Sequence, residues 1–517
     1  MRGRTRSCDL VWAAALTMLV SGIVRAGELT LIPWPRTVAQ AGGTFQLAER
    51  AAITYPETAA PAAALLKSRL HLRRGDAAAA GAAITLRIDP AAGTGAEGYR
   101  LVVGPGGVAI DAATDRGLFY GAQTLLQLVP ATCATQCLIP ALRIEDAPRF
   151  EWRGLLVDIS RHFFGKQALL KIIDEMAAHK LNVLHLHLTD DPGWRFEVPA
   201  YPKLITVGAR GDEDAPGVGP PRYLSKRDVR ELVDYARLHY VEIVPEIEFP
   251  THCAAAARAY PELFLGERSI NPVRDTSWAF MREVFAEAAR QFPSPYLHFG
   301  GDEFGGESWD QSPQVQQLRQ TAGLMSKREV EGYFDNRVAE LIAKLGRRPM
   351  AWDETAEAGV APQVLIQWWR KDRPEVLDAA IRSGHDVVLS PVDELYLDYP
   401  QALGEPGAPW EGNDNGPTST AKILSWEPVP QRYTPDETRH IRGVEAALWT
   451  EFIRSERYMQ FMLYPRLFAV ADVAWRAADT ARVPDFESRV QPALQRLRAE
   501  GINARRTAAD AVEYMTH

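Results

Sequence analysis

The 517-residue chain has only four cysteines, too few for the disulfide framework of a small secreted scaffold. Cys133 and Cys137 lie close together in a Thr/Ala/Gln-rich loop. In an oxidising compartment that spacing predicts a short disulfide. It also fits half a zinc site, but no second Cys/His pair lies nearby. Cys253 follows His252, has no sequence partner and reads as a buried free thiol. There is no long run of one charge, no low-complexity tract and no repeat beyond an alternation of strand and helix signals. Basic residues are not in excess, with 58 Lys and Arg against 66 Asp and Glu. A chain of this sign makes a poor partner for nucleic acid or an anionic membrane.

Long apolar runs are also missing, except near the N-terminus. Arg2, Arg4 and Arg6 precede an apolar stretch from Leu10 to Val24, too short to span a bilayer comfortably. Val24-Arg25-Ala26 then offers a peptidase site. These features predict a signal peptide over residues 1–26 and a secreted or periplasmic protein, with an uncleaved anchor as the alternative. No later segment predicts a membrane span. Removal of residues 1–26 would leave 54 basic and 65 acidic residues, a net charge of −11. The length suits one large domain and one smaller one.

Residues 27–148 read as the smaller α/β unit. Leu101–Val103 and Gly107–Ile110 are apolar runs separated by a Pro-Gly turn, and Leu118–Leu128 has helical periodicity. From residue 149 onward, short apolar runs alternate with amphipathic segments. The runs are Gly154–Ser160, Asn182–Thr189, Val241–Phe249, Tyr296–Gly300, Arg348–Trp352, Val364–Trp369, Asp386–Ser390 and Val444–Trp449. Helical signals include Gln167–Lys180, Lys226–Leu238, Lys327–Leu345 and Pro374–Ser383. Eight such units predict an α/β protein. Its catalytic domain, residues 149–517, is a (β/α)8 TIM barrel preceded by the smaller accessory domain.

In a barrel of this kind the active site gathers at the C-terminal strand ends. Those ends carry Asp158 and Arg161, His185 to Arg195, Glu246 to His252, His298 to Glu303, Trp352 to Glu354, Trp368 to Arg370, Tyr396 to Asp398, and Trp449 to Glu451. Carboxylates mixed with tryptophans suit glycosidic cleavage. An acid must protonate the leaving oxygen, and negative charge or a nucleophile must face the anomeric carbon. Indole faces cover the apolar face of a pyranose. Adjacent residues of a regular strand face opposite ways. Asp302 and Glu303 can therefore share a site only where the strand is broken, and Gly300-Gly301 permits the break. A like charge nearby would raise one member of the pair, keeping it protonated as an acid.

These motifs resemble glycoside hydrolase family 20, the β-N-acetylhexosaminidases. His298-Phe299-Gly300-Gly301-Asp302-Glu303 matches the family's catalytic motif, and Arg161, Asp190 to Arg195, Trp352 to Glu354 and Trp449 to Glu451 follow in order. Glu97 to Tyr99 and Asp115 to Leu128 resemble the family's accessory domain. The resemblance implies a retaining reaction in which the substrate's own acetamido oxygen is the nucleophile. It implies Glu303 as general acid and base, and Asp302 as partner of the acetamido N–H and of the oxazolinium charge. Tyr396 would aim the acetamido oxygen between walls of Trp352, Trp369 and Trp449. Arg161, Glu451 and Asp398 would bind sugar hydroxyls, and Asp190 and His252 would support Glu303. The expected partner is a glycan ending in GlcNAc or GalNAc, with no cofactor and no metal. The oligomeric state is left open.

The chain departs from the family pattern where Thr251 replaces the usual Gly before His252, which predicts a differently shaped turn because a β-branched residue resists positive φ. Pro192 stands where Gln is common. Trp368 and Trp369 compete for one place in the pocket, and Trp410 or Trp426 could touch a second sugar or equally serve in loop packing. Two other readings compete. One is a metal-dependent barrel hydrolase using His185, His187, Asp190, His252 and His298, although His185 and His187 would equally fill the barrel interior. The other is a sugar-binding protein without activity.

Overall fold

The computed structural model describes residues 29–75, 83–130, 136–409, 416–480 and 484–506. The expected leader, Cys133 and Trp410 lie outside the described residues. Cys137 is disulfide-bonded, and Cys253 is a buried free thiol.

Alternation in residues 99–112 forms the expected hairpin. Tyr99–Gly104 pairs antiparallel with Gly107–Ala112, burying Tyr99, Leu101, Val103, Val108 and Ile110. The helix Asp115–Leu128 packs on this hairpin. Its first turn is capped by Thr114, whose side chain accepts the Gly117 N–H at 3.1 Å. Across the sheet the strands run in the order Thr37–Ala48, Gln136–Asp146, Tyr99–Gly104, Gly107–Ala112, Ile84–Ile88, Ala52–Thr54 and Arg73–Arg74.

Buried ion pairs join this sheet to the rest of the chain. Arg153 donates to Glu97 Oε2 at 2.8 Å, and Lys180 Nζ lies 3.0 Å from Asp146 Oδ2. Trp475 Nε1 donates to Asp146 Oδ1 at 2.9 Å. Removing one partner from such a pair strands the other charge, at a cost of about 3–5 kcal/mol.

All eight expected barrel strands form. They are β1 (Trp152–Asp158), β2 (Val183–His187), β3 (Glu242–Glu246), β4 (Tyr296–His298), β5 (Arg348–Trp352), β6 (Leu365–Trp368), β7 (Val387–Leu389) and β8 (Ile441–Leu448). Each is parallel to the next, and β8 closes on β1. Most stop one to three residues short of the apolar runs, because the terminal polar and aromatic residues leave the ladder to line the mouth. β1 and β8 begin earlier than expected, since Arg153 and Arg442-Gly443 interrupt their hydropathy. The expected helices appear as Lys166–Ala178, Lys226–Leu238, Lys327–Lys344 and Pro374–Arg382.

Inward side chains fill the barrel in layers, as closed parallel barrels require. An apolar plug of Trp152, Val183, Val244, Met350, Leu365 and Val388 forms one layer. A charged layer of His185, Glu246, His298, Gln367 and Glu445 is fully buried. Glu445 accepts from Trp152 Nε1 at 2.7 Å, His185 Nδ1 at 2.8 Å and Gln367 Nε2 at 2.9 Å. Toward the C-terminal strand ends lies an aromatic layer of Trp352, Tyr396, Tyr399 and Trp449.

Candidate active site

The ladder of β4 ends at His298, and the backbone then turns through positive φ at Gly300 (75°), Gly301 (90°) and Glu303 (52°). Both glycines are required twice over. Their dihedrals disfavour a Cβ, and a Cβ would lie 1.8 Å from Glu248 Oε2 at position 300 and 2.4 Å from Thr355 Cγ2 at position 301. The break brings both neighbouring carboxylates to one imidazole. His252 Nε2 is 3.7 Å from Asp302 Oδ2 and 3.5 Å from Glu303 Oε2.

His252 itself carries the unusual dihedral of its turn, with φ of 53°. Thr251 does not have positive φ, so the β-branched residue imposes no strain there. Histidine tolerates this region better than most residues. Its Nδ1 lies 3.3 Å from Asp190 Oδ1. Asp190 Oδ2 in turn lies 2.7 Å from Arg161 Nη2 and 2.9 Å from His187 Nε2. Arg161 Nη1 is 3.3 Å from Asp158 Oδ2 and 3.5 Å from Glu451 Oε1, and its guanidinium lies over the Trp449 ring. One chain of charges thus runs from Glu451 through Arg161, Asp190 and His252 to the Asp302–Glu303 pair.

Protonation across this chain is uneven. Burial opposes an imidazolium at position 252, but Asp190, Asp302 and Glu303 outweigh it and raise its pKa well above the usual histidine range. Burial lifts Asp302 to about 6, against the attraction of His252 and with the help of Glu303 and Glu246. Glu303 moves the other way. Its contact with His252 holds it below the usual carboxyl range despite partial burial. The raised member of the pair is therefore Asp302, whereas a protonated acid was expected at Glu303. The side chain of Glu303 is 61% exposed and that of Asp302 only 16%, so the desolvation acts mainly on Asp302.

The aromatic cage stands beside this pair. Trp352 Nε1 donates to Glu246 Oε1 at 2.8 Å, which fixes its ring. Ring centroids of Trp352 and Tyr396 lie 5.9 and 6.0 Å from that of Trp449. Trp369 stacks on Tyr396 at 6.2 Å and packs against this cluster, whereas Trp368 belongs to the main core. Of the two tryptophans, Trp369 is the one that packs in the aromatic cluster with Tyr396. Asp398 is buried two residues beyond Tyr396. Trp426 packs against the main core.

Several residues of the expected strand-end segments had no individual role assigned from the sequence. Glu246 gathers His187 Nδ1 at 2.6 Å, His298 Nδ1 at 2.9 Å and Trp352 Nε1. Glu248 lies beneath Gly300 with neither carboxylate oxygen hydrogen-bonded among the described residues. Burial, with Asp302 and Glu246 adding to it, raises Glu248 well above the carboxyl range. The period-2 spacing of Glu246 and Glu248 was the available signal. Glu354, which accepts from Trp369 Nε1 at 3.2 Å, is raised likewise by burial and by Asp353 and Asp302. The histidines of the metal reading lie among carboxylates: His185, Glu246 and His298, then His187, Glu246 and Glu248, and then Asp190, Asp191 and His252 each gather ligand atoms within 4.8 Å of one another. His187 places both ring nitrogens on carboxylates, and His185 Nδ1 on Glu445.

A closed parallel barrel with paired carboxylates beside a tryptophan cage at its strand ends is of the glycoside-hydrolase type. The chain belongs to glycosyl hydrolase family 20, whose catalytic-domain profile matches residues 150–478 and whose domain 2 profile matches residues 28–147. It is 32% identical over 507 residues to a beta-hexosaminidase of Porphyromonas gingivalis, covering 92% of this chain and 64% of that one. Among solved structures, the family 20 exo-β-N-acetylglucosaminidase of Vibrio harveyi, in complex with N-acetylglucosamine, superposes with a TM-score of 0.85 at 29% identity. That match covers 92% of this chain and 78% of the other. The N-acetyl-β-hexosaminidase of Streptomyces plicatus, in complex with Thio-NAglucal, gives 0.80 at 32% identity, covering 93% and 97%. Among the described residues no helix is long and apolar enough to cross a membrane.

Proposed function

We propose that the protein is a secreted or periplasmic exo-β-N-acetylhexosaminidase. It removes terminal non-reducing GlcNAc or GalNAc from glycans such as chitooligosaccharides, by a retaining, substrate-assisted mechanism. In this reading residues 1–26 are a leader, 27–148 an accessory domain and 149–517 the catalytic barrel. The observation that carries it is the convergence of Asp302 and Glu303 on His252, beside the Trp352–Tyr396–Trp449 cage, in a family 20 chain.

The acetamido oxygen of the substrate attacks the anomeric carbon as the glycosidic bond breaks, and Glu303 gives its proton to the leaving oxygen. The resulting oxazolinium ring bears a positive charge, which ionised Asp302 faces while accepting from the acetamido nitrogen. Glu303 then takes a proton from water, the water oxygen attacks the anomeric carbon, and the ring opens. Two inversions at one carbon leave the β configuration. Tyr396 donates to the acetamido oxygen and aims it, and Trp352, Trp369 and Trp449 exclude water from the methyl group. Arg161, Glu451 and Asp398 hold ring hydroxyls.

Glu303 starts below the usual carboxyl range because of His252. A seated sugar would cover its exposed side chain, and burial raises a carboxyl. In this way substrate binding itself would prepare the acid. The 3.5 Å approach of Arg161 to Glu451 supports a closed pocket that takes one terminal sugar. Digestion of chitotetraose tests this. GlcNAc should be the first product, and chitobiose appearing first would contradict the closed pocket.

A further inference from the structure

Arg466 opens the helix Arg466–Trp475 and is fully buried. A guanidinium has five N–H donors in a rigid fork, and here five hydrogen bonds leave it, every one to a main-chain carbonyl. Nε donates to Met462 O at 3.0 Å. Nη1 donates to Tyr399 O at 2.7 Å and Thr418 O at 3.0 Å. Nη2 donates to Leu397 O at 2.5 Å and Met462 O at 2.7 Å. Burial pulls the guanidinium down to about 9, against the attraction of Asp398.

The carbonyls of residues 397 and 399 bracket Asp398, and Tyr396 comes just before. On its other side this turn is strung to β8. Tyr396 bridges Ala447, and Leu397 N donates to Ala447 O at 2.7 Å. Thr418 is where the chain returns from the loop that follows the turn, and Met462 lies at the C-terminal end of the helix Glu456–Leu463. The negative ends of carbonyls at a helix C-terminus suit a cation. One side chain therefore ties three separate segments together behind the wall that carries Tyr396 and Asp398.

Stability alone is a weak reason for this arrangement. A buried charge costs several kcal/mol in desolvation, and apolar residues of similar size often serve a core as well. Five directional bonds specify a position instead. We infer that Arg466 is the positioning residue for the acetamido side of the pocket, fixing the Tyr396–Asp398 turn before a sugar arrives. The inference rests on the reading of Tyr396 as the group that aims the acetamido oxygen.

A double-mutant cycle in the full chain tests it, with p-nitrophenyl N-acetyl-β-glucosaminide as substrate. The wild-type rate, measured first, tests the glycosidase reading separately. Arg466→Lys has too few donors for four carbonyls. It should lower kcat at least about tenfold with KM changed less than about threefold. Affinity for a GlcNAc-thiazoline should fall by the same factor as kcat/KM. In a Tyr396→Phe background the same change should lower kcat by less than about twofold, because the group it positions has gone. Losses that multiply, a folded Arg466→Lys enzyme with wild-type kcat, or a Tyr396→Phe enzyme with wild-type kcat would each overturn the inference. Hydrogen exchange on the wild type gives an independent answer if Arg466→Lys does not fold. The Leu397 and Ala408 amides, which donate to Ala447 O and Asp398 O, should be equally protected with and without the thiazoline. A large gain in protection on binding would show that the sugar orders the turn, and would overturn the inference.

Discussion

Glu248 lies so close beneath Gly300 that a Cβ on the glycine would sit 1.8 Å from its Oε2. The Glu248 carboxyl and the strand break that brings Asp302 to the strand end therefore share one volume. Gly300→Ala should be costly, because the methyl group must displace a buried carboxyl in a conformation that already disfavours it. Overpacking of this kind costs about 1–3 kcal/mol. The variant should melt several degrees lower and lose most of its glycosidase rate, as thermal unfolding and a chromogenic assay would measure. Unchanged melting and rate would mean that this contact is not rigid.

Asp302→Asn should separate stability from activity. Asp302 titrates at about 6, above its ordinary value of 3.8. The native state therefore holds a proton that the unfolded chain releases across that interval. Ionisation of Asp302 costs native stability as the pH rises through the interval, and the full cost applies above about pH 6. Neutral Asn escapes it, by at most about 3 kcal/mol. The variant should melt higher than wild type at pH 7, match it at pH 4, and turn over far more slowly. For the wild type, kcat/KM, which reports the free enzyme, should fall as the pH drops through about 6. A variant equally stable at both pH values would remove the strain assigned to Asp302.

Glu303→Gln should depend on the leaving group. General acid catalysis contributes about 10²–10⁴-fold, so turnover of chitobiose should fall by that order. A dinitrophenyl glycoside needs little protonation, and its first step should fall much less. Equal losses on both substrates would take the acid role away from Glu303.

Activity should survive chelation. No step in the proposed mechanism uses a metal, although His187, Glu246 and Glu248 lie close enough together to hold an ion. Loss of activity in EDTA, restored by zinc, would favour a metal-dependent hydrolase.

The barrel was legible because its strands are continuous apolar runs. β5 appears over the expected residues Arg348–Trp352, and every other strand contains or overlaps its run. The strand ends were legible as chemistry, since carboxylates, histidines and tryptophans gather just after the apolar runs. What stayed hidden depends on three dimensions. Glu248 reads as one acidic residue among many until Gly300 is seen above it. Arg466 sits in an ordinary helical stretch, and three of its four carbonyl partners come from two distant segments, the fourth lying four residues upstream at Met462. The sharing of charge between Asp302 and Glu303 follows from the burial of Asp302 and the contact of Glu303 with His252, which adjacency in sequence does not set. At the Thr251–His252 turn the positive φ falls on His252, one residue after the β-branched position, which the order of residue types did not specify.

The central claim is that the nucleophile comes from the substrate, and the most direct measurement is the rate across p-nitrophenyl glycosides bearing N-acetyl, N-fluoroacetyl, N-difluoroacetyl and N-trifluoroacetyl groups. Each fluorine weakens the carbonyl oxygen as a nucleophile with little change in size. Oxazolinium formation should slow steeply and progressively along the series, with the β-anomer as the first product by NMR. Rates indifferent to fluorination while bond cleavage is rate-limiting, or an inverted first product, would contradict the mechanism.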